Sequence, residues 1–302
     1  VRTIDAFETE IWMQVELAKK FRPQERLGPL RQKRAVFCGT GDSFASSLLA
    51  EAFSSHGARA FDPLDLIKNR KLAAAKDLYL VSISGNTSSN IRLAALHGSA
   101  VAITANGQSR LARKCRKSIL LRFGSTGVQT AGSLSFLASA LTCISLVSGL
   151  RLGDASGIFR AAQRAARTAS LRGKVFVLGN LHTFPIAMFC AAKLYEVLGH
   201  DAHYERIEQF SHMGLFSARR GDTVLVFESA NPHNRRLVQA LRRCGLGAGR
   251  IKPPPGNLLE QAVYFIFFSE LVALYTARRQ KRKECFFVEE NNLRKASSSM
   301  IY

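Results

Sequence analysis

Along the chain, short apolar runs alternate with amphipathic stretches. Ala35-Val36-Phe37-Cys38, Leu78-Tyr79-Leu80-Val81, Ala100 to Thr104 and Ser118 to Arg122 are each four or five residues long. Largely apolar on successive positions, they read as strands buried on both faces, as parallel strands are. Between them, Phe44 to about His56, Ser88 to His97 and Ser109 to Arg116 have helical spacing, and Ile91, Leu93, Ala94 and Ala95 give the second an apolar face. Thr130 to Gly149 is nearly uncharged and predicts a long buried helix. An amphipathic helix over residues 3 to 20 and a basic linker, Arg22 to Arg34, precede the first strand.

The second half repeats this plan. A bridging helix, Ala155 to Ser170, leads to a strand ending at Gly179, a helix Pro185 to Leu198 and a strand Ala202 to Arg206. A further helix, a strand Thr223 to Phe227, a helix Asn234 to Cys244, a short strand near Gly249 to Lys252 and a helix Leu258 to Ala277 complete it. The pattern predicts an α/β fold: two doubly wound, three-layer α/β/α subdomains with parallel sheets, related by internal duplication. The expected division is residues 1–33 for the N-terminal helix and linker, 34–150 for the first subdomain and 151–302 for the second with its tail.

Two junctions carry candidate chemistry. Ser82-Ile83-Ser84-Gly85-Asn86-Thr87 joins a strand to a helix, and Gly39-Thr40-Gly41-Asp42-Ser43 does the same one α/β step earlier. Glycine lets the backbone turn tightly near a ligand, while hydroxyls and a helix N-terminus offer donors to an anion, naturally a phosphate. The same residues would equally serve as N-caps and loop. The corresponding turn of the second half, Glu228-Ser229-Ala230-Asn231, lacks the serine–glycine pattern.

Composition changes this picture little. With 47% hydrophobic and 22% charged residues the chain reads as a globular, cytoplasmic protein with no signal peptide. Leu258 to Ala277 contains Glu260 and Glu270, so it is expected as a buried or subunit-interface helix and not a membrane span. Six cysteines form no C-x-x-C pair, which predicts reduced thiols and gives a metal site no support. Forty-three Lys and Arg against 22 Asp and Glu give +21, which raises nucleic acid as a partner. The basic residues are scattered apart from Arg278 to Lys283, and no nucleic-acid motif accompanies them, so a solvated surface that draws anionic substrates is expected instead.

The two turns resemble the phosphate-binding turns of sugar isomerase (SIS) domains. The whole chain is similar to the double-SIS isomerase domain of glucosamine-6-phosphate synthase and to stand-alone aminosugar-phosphate deaminases and isomerases. Ala192-Lys193-Leu194-Tyr195-Glu196 resembles the family's A-L-K-L-K-E segment, and Gln209-Phe210-Ser211-His212 resembles its E-L-K-H, with His212 sixteen positions after Glu196 as in the family. Asn292-Leu293-Arg294-Lys295 is similar to the terminal N-L-A-K, and Glu10-Ile11 to the opening E-I.

The resemblance implies a cofactor-free, metal-free sugar-phosphate isomerase or aminosugar-phosphate deaminase. Its substrates would be hexose 6-phosphates of the glucosamine 6-phosphate or fructose 6-phosphate type. Thr40, Ser43, Ser82, Ser84 and Thr87 would hold the phosphate, and Glu196 would move a proton between C1 and C2. Lys193 would support Glu196, and His212, from the neighbouring subunit of a homodimer, would assist ring opening. Lys295, carried by a tail that completes the site, would reach the open-chain carbonyl.

The family's Q-S-G-E-T is Ile83-Ser84-Gly85-Asn86-Thr87 here, and Leu134 stands where its V-A-S-T-K-A-F stretch has lysine. The sugar therefore stays open. The 302 residues hold no glutaminase domain, so glutamine-driven amination by this chain alone is not expected. A non-catalytic SIS-fold sugar-phosphate sensor is the alternative.

Overall fold

In the computed structural model, residues 1–228 and 231–302 are described. The elements run α1 (Thr3–Lys20), α2 (Pro29–Arg34), β1 (Ala35–Cys38), α3 (Asp42–Phe53), β2 (Arg59–Phe61), α4 (Pro63–Lys68), β3 (Asp77–Val81), α5 (Ser88–Leu96), β4 (Val101–Thr104), α6 (Arg110–Lys114), β5 (Lys117–Leu120) and α7 (Leu134–Val147). They continue as α8 (Ala155–Thr168), β6 (Val175–Gly179), α9 (Phe184–Leu198), β7 (Ala202–Arg206), α10 (Ile207–His212), β8 (Thr223–Phe227), α11 (Pro232–Arg243), β9 (Gly247–Arg250), α12 (Leu258–Arg279), α13 (Phe286–Glu289) and α14 (Asn291–Ile301).

The chain divides into two compact units with interleaved boundaries. One comprises Val1–Val15, Thr126–Ala131 and Arg151–Glu290, the other Glu16–Ser125, Gly132–Leu150 and Asn291–Tyr302. The tail helix α14 thus groups with β1–β5 and their turns. Each unit holds one all-parallel sheet, ordered β2-β1-β3-β4-β5 in one and β7-β6-β8-β9 in the other. Both are wound identically: the second strand lies outside the first, and the third returns to the first strand's other side. That common winding is the duplication expected from the sequence.

Strand alternation explains the three layers. In β1 and β3, Ala35, Phe37, Tyr79 and Val81 point to one face and pack with Ala50 of α3 and Cys143, Leu146 and Val147 of α7. Val36, Cys38, Leu78 and Leu80 point to the other and meet Leu66 of α4, Leu93 and Ala94 of α5 and Leu111 of α6. In the second sheet Phe176, Leu178, Val224 and Val226 form one face with Phe210 and Leu241, while Phe227 of the opposite face stacks on Phe265 of α12 at 4.8 Å.

The 22-residue α12 is long and apolar enough to cross a membrane, but 78% of its most apolar window is buried inside the folded chain. It packs between α8 and α9 as a core helix. Helix α7 begins at Leu134 and not at Thr130, because residues 126–131 leave for the other unit. There the Thr126 and Thr130 hydroxyls donate to the two carboxylate oxygens of Glu10, at 3.0 and 3.1 Å. The linker 22–34 holds the short helix α2, opened by Pro29, and β2–α4 fills a stretch left unassigned by the sequence pattern. All six cysteines are free, and only Cys244 is exposed.

Candidate active site

Because β2 and β3 flank β1, the chain reverses its winding between β1 and β3, and the C-terminal edge at such a reversal is where open α/β sheets bind ligands. Register pairs Cys38 with Leu80, which brings Gly39-Thr40 beside Val81-Ser82. Both glycine–hydroxyl turns therefore stand at one point.

Their local geometry follows from residue type. Gly85 has φ +66°, and a Cβ there would lie 2.1 Å from the Ser109 hydroxyl, so the turn tolerates no side chain. Gly41, at φ +55°, is the N-cap of α3 and has no side chain with which to cap it. Thr87, the N-cap of α5, makes no capping bond either, because its hydroxyl pairs with Ser82 Oγ at 3.0 Å. Two helices thus present uncapped first turns, with the donors and positive dipole ends that suit an anion.

The five expected phosphate residues separate into two kinds. Ser82, Thr87 and Ser43 are buried, at 3, 8 and 7% exposure. Ser82 Oγ also accepts the Gly85 amide at 3.2 Å, so Ser82 and Thr87 shape the turn from beneath. Thr40 and Ser84 are half-buried. Ser84 Oγ accepts the Asn86 amide at 3.3 Å and keeps its proton to donate. Thr104 and Ser109 brace the loop from behind: Thr104 Oγ1 donates to the Ile83 carbonyl at 3.1 Å, and Ser109 fills the place beside Gly85. Sequence reasoning missed both: Thr104 reads only as the end of β4 and Ser109 only as the N-cap of α6, whose hydroxyl accepts the Ala112 amide at 3.2 Å. In the same unit Tyr302, one residue past α14, lies against the start of α5, its carbonyl accepting from Ser88 Oγ at 2.9 Å. Lys295, on that helix, is exposed.

In the other unit, α9 sets Lys193 and Glu196 three residues apart on one face. Lys193 Nζ lies 2.5 Å from Glu196 Oε2, with side-chain exposures of 0 and 38%. A fully buried ammonium requires a counter-charge, which Glu196 supplies, and the Phe189 ring 4.9 Å away adds a π face. One edge of the Glu196 carboxylate is fixed while the group stays within reach of solvent. Cys285 lies close by: burial pushes its thiol up, and the charges of Glu196 and Lys193 both act on it. Its amide donates to Thr3 Oγ1 at 2.7 Å. His212 closes the six-residue α10, exposed, with Nε2 3.2 Å from Glu208 Oε1. The structure thus brings Lys193 and Glu196 together, and the phosphate turns likewise, while His212 and Lys295 stand exposed on their own helices.

The second sheet reverses between β6 and β8, but the serine turn is replaced there. The Glu228 carboxylate accepts from Asn180 Nδ2 at 3.2 Å and is also held by Asn234 Nδ2. His182 beside it is half-buried, and its partial desolvation pushes its pKa down. The adjoining Ser229 and Ala230, part of the turn compared above, lie outside the described residues.

Two parallel sheets of the same winding, with helices on both sides of each, give the chain the fold of solved sugar isomerase (SIS) structures. Among solved structures, glucosamine-6-phosphate deaminase from Thermotoga maritima superposes with a TM-score of 0.71 at 16% identity, covering 94% of this chain and 96% of its own. Tagatose-6-phosphate ketose/aldose isomerase from Escherichia coli gives 0.66 at 19% identity, covering 93% and 90%. The C-terminal domain of glucosamine-fructose-6-phosphate aminotransferase from Francisella tularensis gives 0.63 at 13%, covering 91% and 93%. No protein-family model matches the sequence, and no curated protein matches it.

Proposed function

We propose that this chain is a sugar-phosphate isomerase or aminosugar-phosphate deaminase that needs no cofactor. It acts on hexose 6-phosphates of the glucosamine 6-phosphate or fructose 6-phosphate kind, moving a proton between C1 and C2 of the open-chain sugar. The observation that carries this reading is the convergence of the Gly39–Ser43 and Ser82–Thr87 turns, each leading into an uncapped helix, at the β1/β3 reversal point. Neighbours of the same fold named for 6-phosphosugars support it.

In this scheme Thr40 and Ser84 donate to the phosphate, and Ser43, Ser82 and Thr87 hold the turns in shape. Glu196 is the base, an acid–base group being what aldose–ketose isomerisation requires at C1/C2, and Lys193 fixes its direction. His212, from the second chain of a homodimer, assists ring opening, and Lys295 serves the substrate carbonyl. The test is incubation with glucosamine 6-phosphate and with fructose 6-phosphate, with and without ammonium, followed by product identification. Conversion of neither sugar overturns the proposal.

A sensor that binds the sugar phosphate without turning it over is a second reading. It is favoured by the placement of His212, paired with Glu208, and by the exposed Lys295. Calorimetric binding without conversion would establish it.

A further inference from the structure

A feature of the first sheet lies outside the sugar site. β5 is its last strand, and among the described residues none pairs with its outer side. A cavity of about 840 Å³ runs there, lined by Leu17, Phe21, Ala138 and Thr142 and by the consecutive Lys117, Ser118, Ile119 and Leu120. Successive strand side chains point to opposite faces of a sheet, so four in a row can share one cavity only if it follows the strand's backbone edge. Such an edge carries unsatisfied N–H and C=O groups ready to pair with another strand.

The rim selects what can come. Arg22, Lys117 and Arg122 line it, and Lys20, already paired with Glu16 at 3.4 Å, stands beside them. Residues 113–122 contain Arg113, Lys114, Arg116, Lys117 and Arg122 and no acid. Leu120, 47% exposed, adds an apolar contact on the same edge. A second copy pairing through β5 would set these cations against their equivalents, and like charges directly opposite disfavour a strand pair. Nucleic acid would find the cations but only one aromatic ring, Phe21, on which a base could stack.

We propose that the outer edge of β5 is a docking site for an acidic, extended peptide segment of a partner protein. The segment adds as a strand, seats apolar side chains on Leu17, Phe21 and Leu120, and sets Asp or Glu side chains against Arg22, Lys117 and Arg122. Backbone pairing supplies affinity, and alternate side chains supply selection.

The test is selection of a random decapeptide library on the intact chain. Synthesised winners are then measured by fluorescence anisotropy at low and physiological salt. The expected winners alternate acidic and apolar residues, lose at least tenfold in affinity when alternate amides are N-methylated, and lose at least tenfold against the Lys117→Glu/Arg122→Glu double variant. Unchanged circular dichroism and unchanged sugar-phosphate binding would show that this variant is folded, and its binding of charge-reversed peptides would restore the interaction. Winners without acidic residues, or indifference to N-methylation or to the double variant, overturn the proposal. So does a single-stranded oligonucleotide that displaces the winners and binds more tightly, which would make the edge a nucleic-acid groove.

Discussion

At the scale of single residues, the two halves of the candidate site differ in kind. The phosphate turn is a backbone structure trimmed with hydroxyls, so changing one hydroxyl removes one bond and little else. Ser84→Ala should weaken sugar-phosphate binding by about 1–3 kcal/mol, the value of a hydrogen bond to a charged group, with unfolding unaffected; calorimetry beside thermal melts checks both. Lys193 and Glu196 depend on each other. Glu196→Gln should abolish proton transfer and also lower the melting temperature, because it removes the charge set against the fully buried Lys193 ammonium, whereas Lys193→Met should replace the ammonium by an apolar chain and slow turnover while the chain remains folded. Product assays and melts on both variants separate the roles. His182 gives a pH dependence. Burial lowers its pKa in the folded chain, so between that lowered value and the ordinary one of about 6.5 the unfolded chain binds the extra proton. Stability should therefore fall as pH drops below about 6.5, and His182→Asn should flatten the slope in denaturant titrations from pH 7 to 5.

At the scale of elements, the tail gives the sharpest test. Composition alone makes residues 289–302 a polar, frayed end, yet Asn291–Ile301 form α14, and Tyr302 just past it meets Ser88 at the start of α5. Lys295→Ala should cut turnover at least about tenfold, roughly 1.4 kcal/mol of barrier, with phosphate affinity kept; full rates after truncation beyond Asn292 would refute the tail's role. What could be read from the sequence follows from periodicity. Ala35–Cys38 and Thr223–Phe227 were legible because buried strands are apolar runs bounded by turn residues. β2 was not: Arg59-Ala60-Phe61 is three residues at a sheet edge, too short for a period to show. The first turn of the helix expected from Thr130 was misassigned for another reason, since Thr130 answers to Glu10, 120 positions away. Contacts of that span leave no local trace. Likewise the serines of the turn could be seen in the sequence, but not their division into the buried Ser82 and the half-buried Ser84.

At the scale of the whole molecule, the apolar helices α7 and α12 are covered within the folded chain and do not of themselves require a second copy. The homodimer rests instead on the resemblance that assigns His212 to a neighbour's site. If that assignment holds, light scattering at micromolar concentration should give twice 33.2 kDa. Mixing inactive Glu196→Gln with inactive His212→Ala chains should also restore part of the activity, since one site of each mixed pair would be intact. The duplicated winding carries a different consequence. Where the first sheet offers hydroxyls and bare helix starts, the second offers the Glu228 carboxylate, already held by two asparagine amides. An anion arriving there would meet a like charge, and one N–H of each asparagine amide is already committed to it. Although the chain is built twice over, its stoichiometry should be one: a titration with fructose 6-phosphate should saturate at a single equivalent per chain, with no weaker second phase.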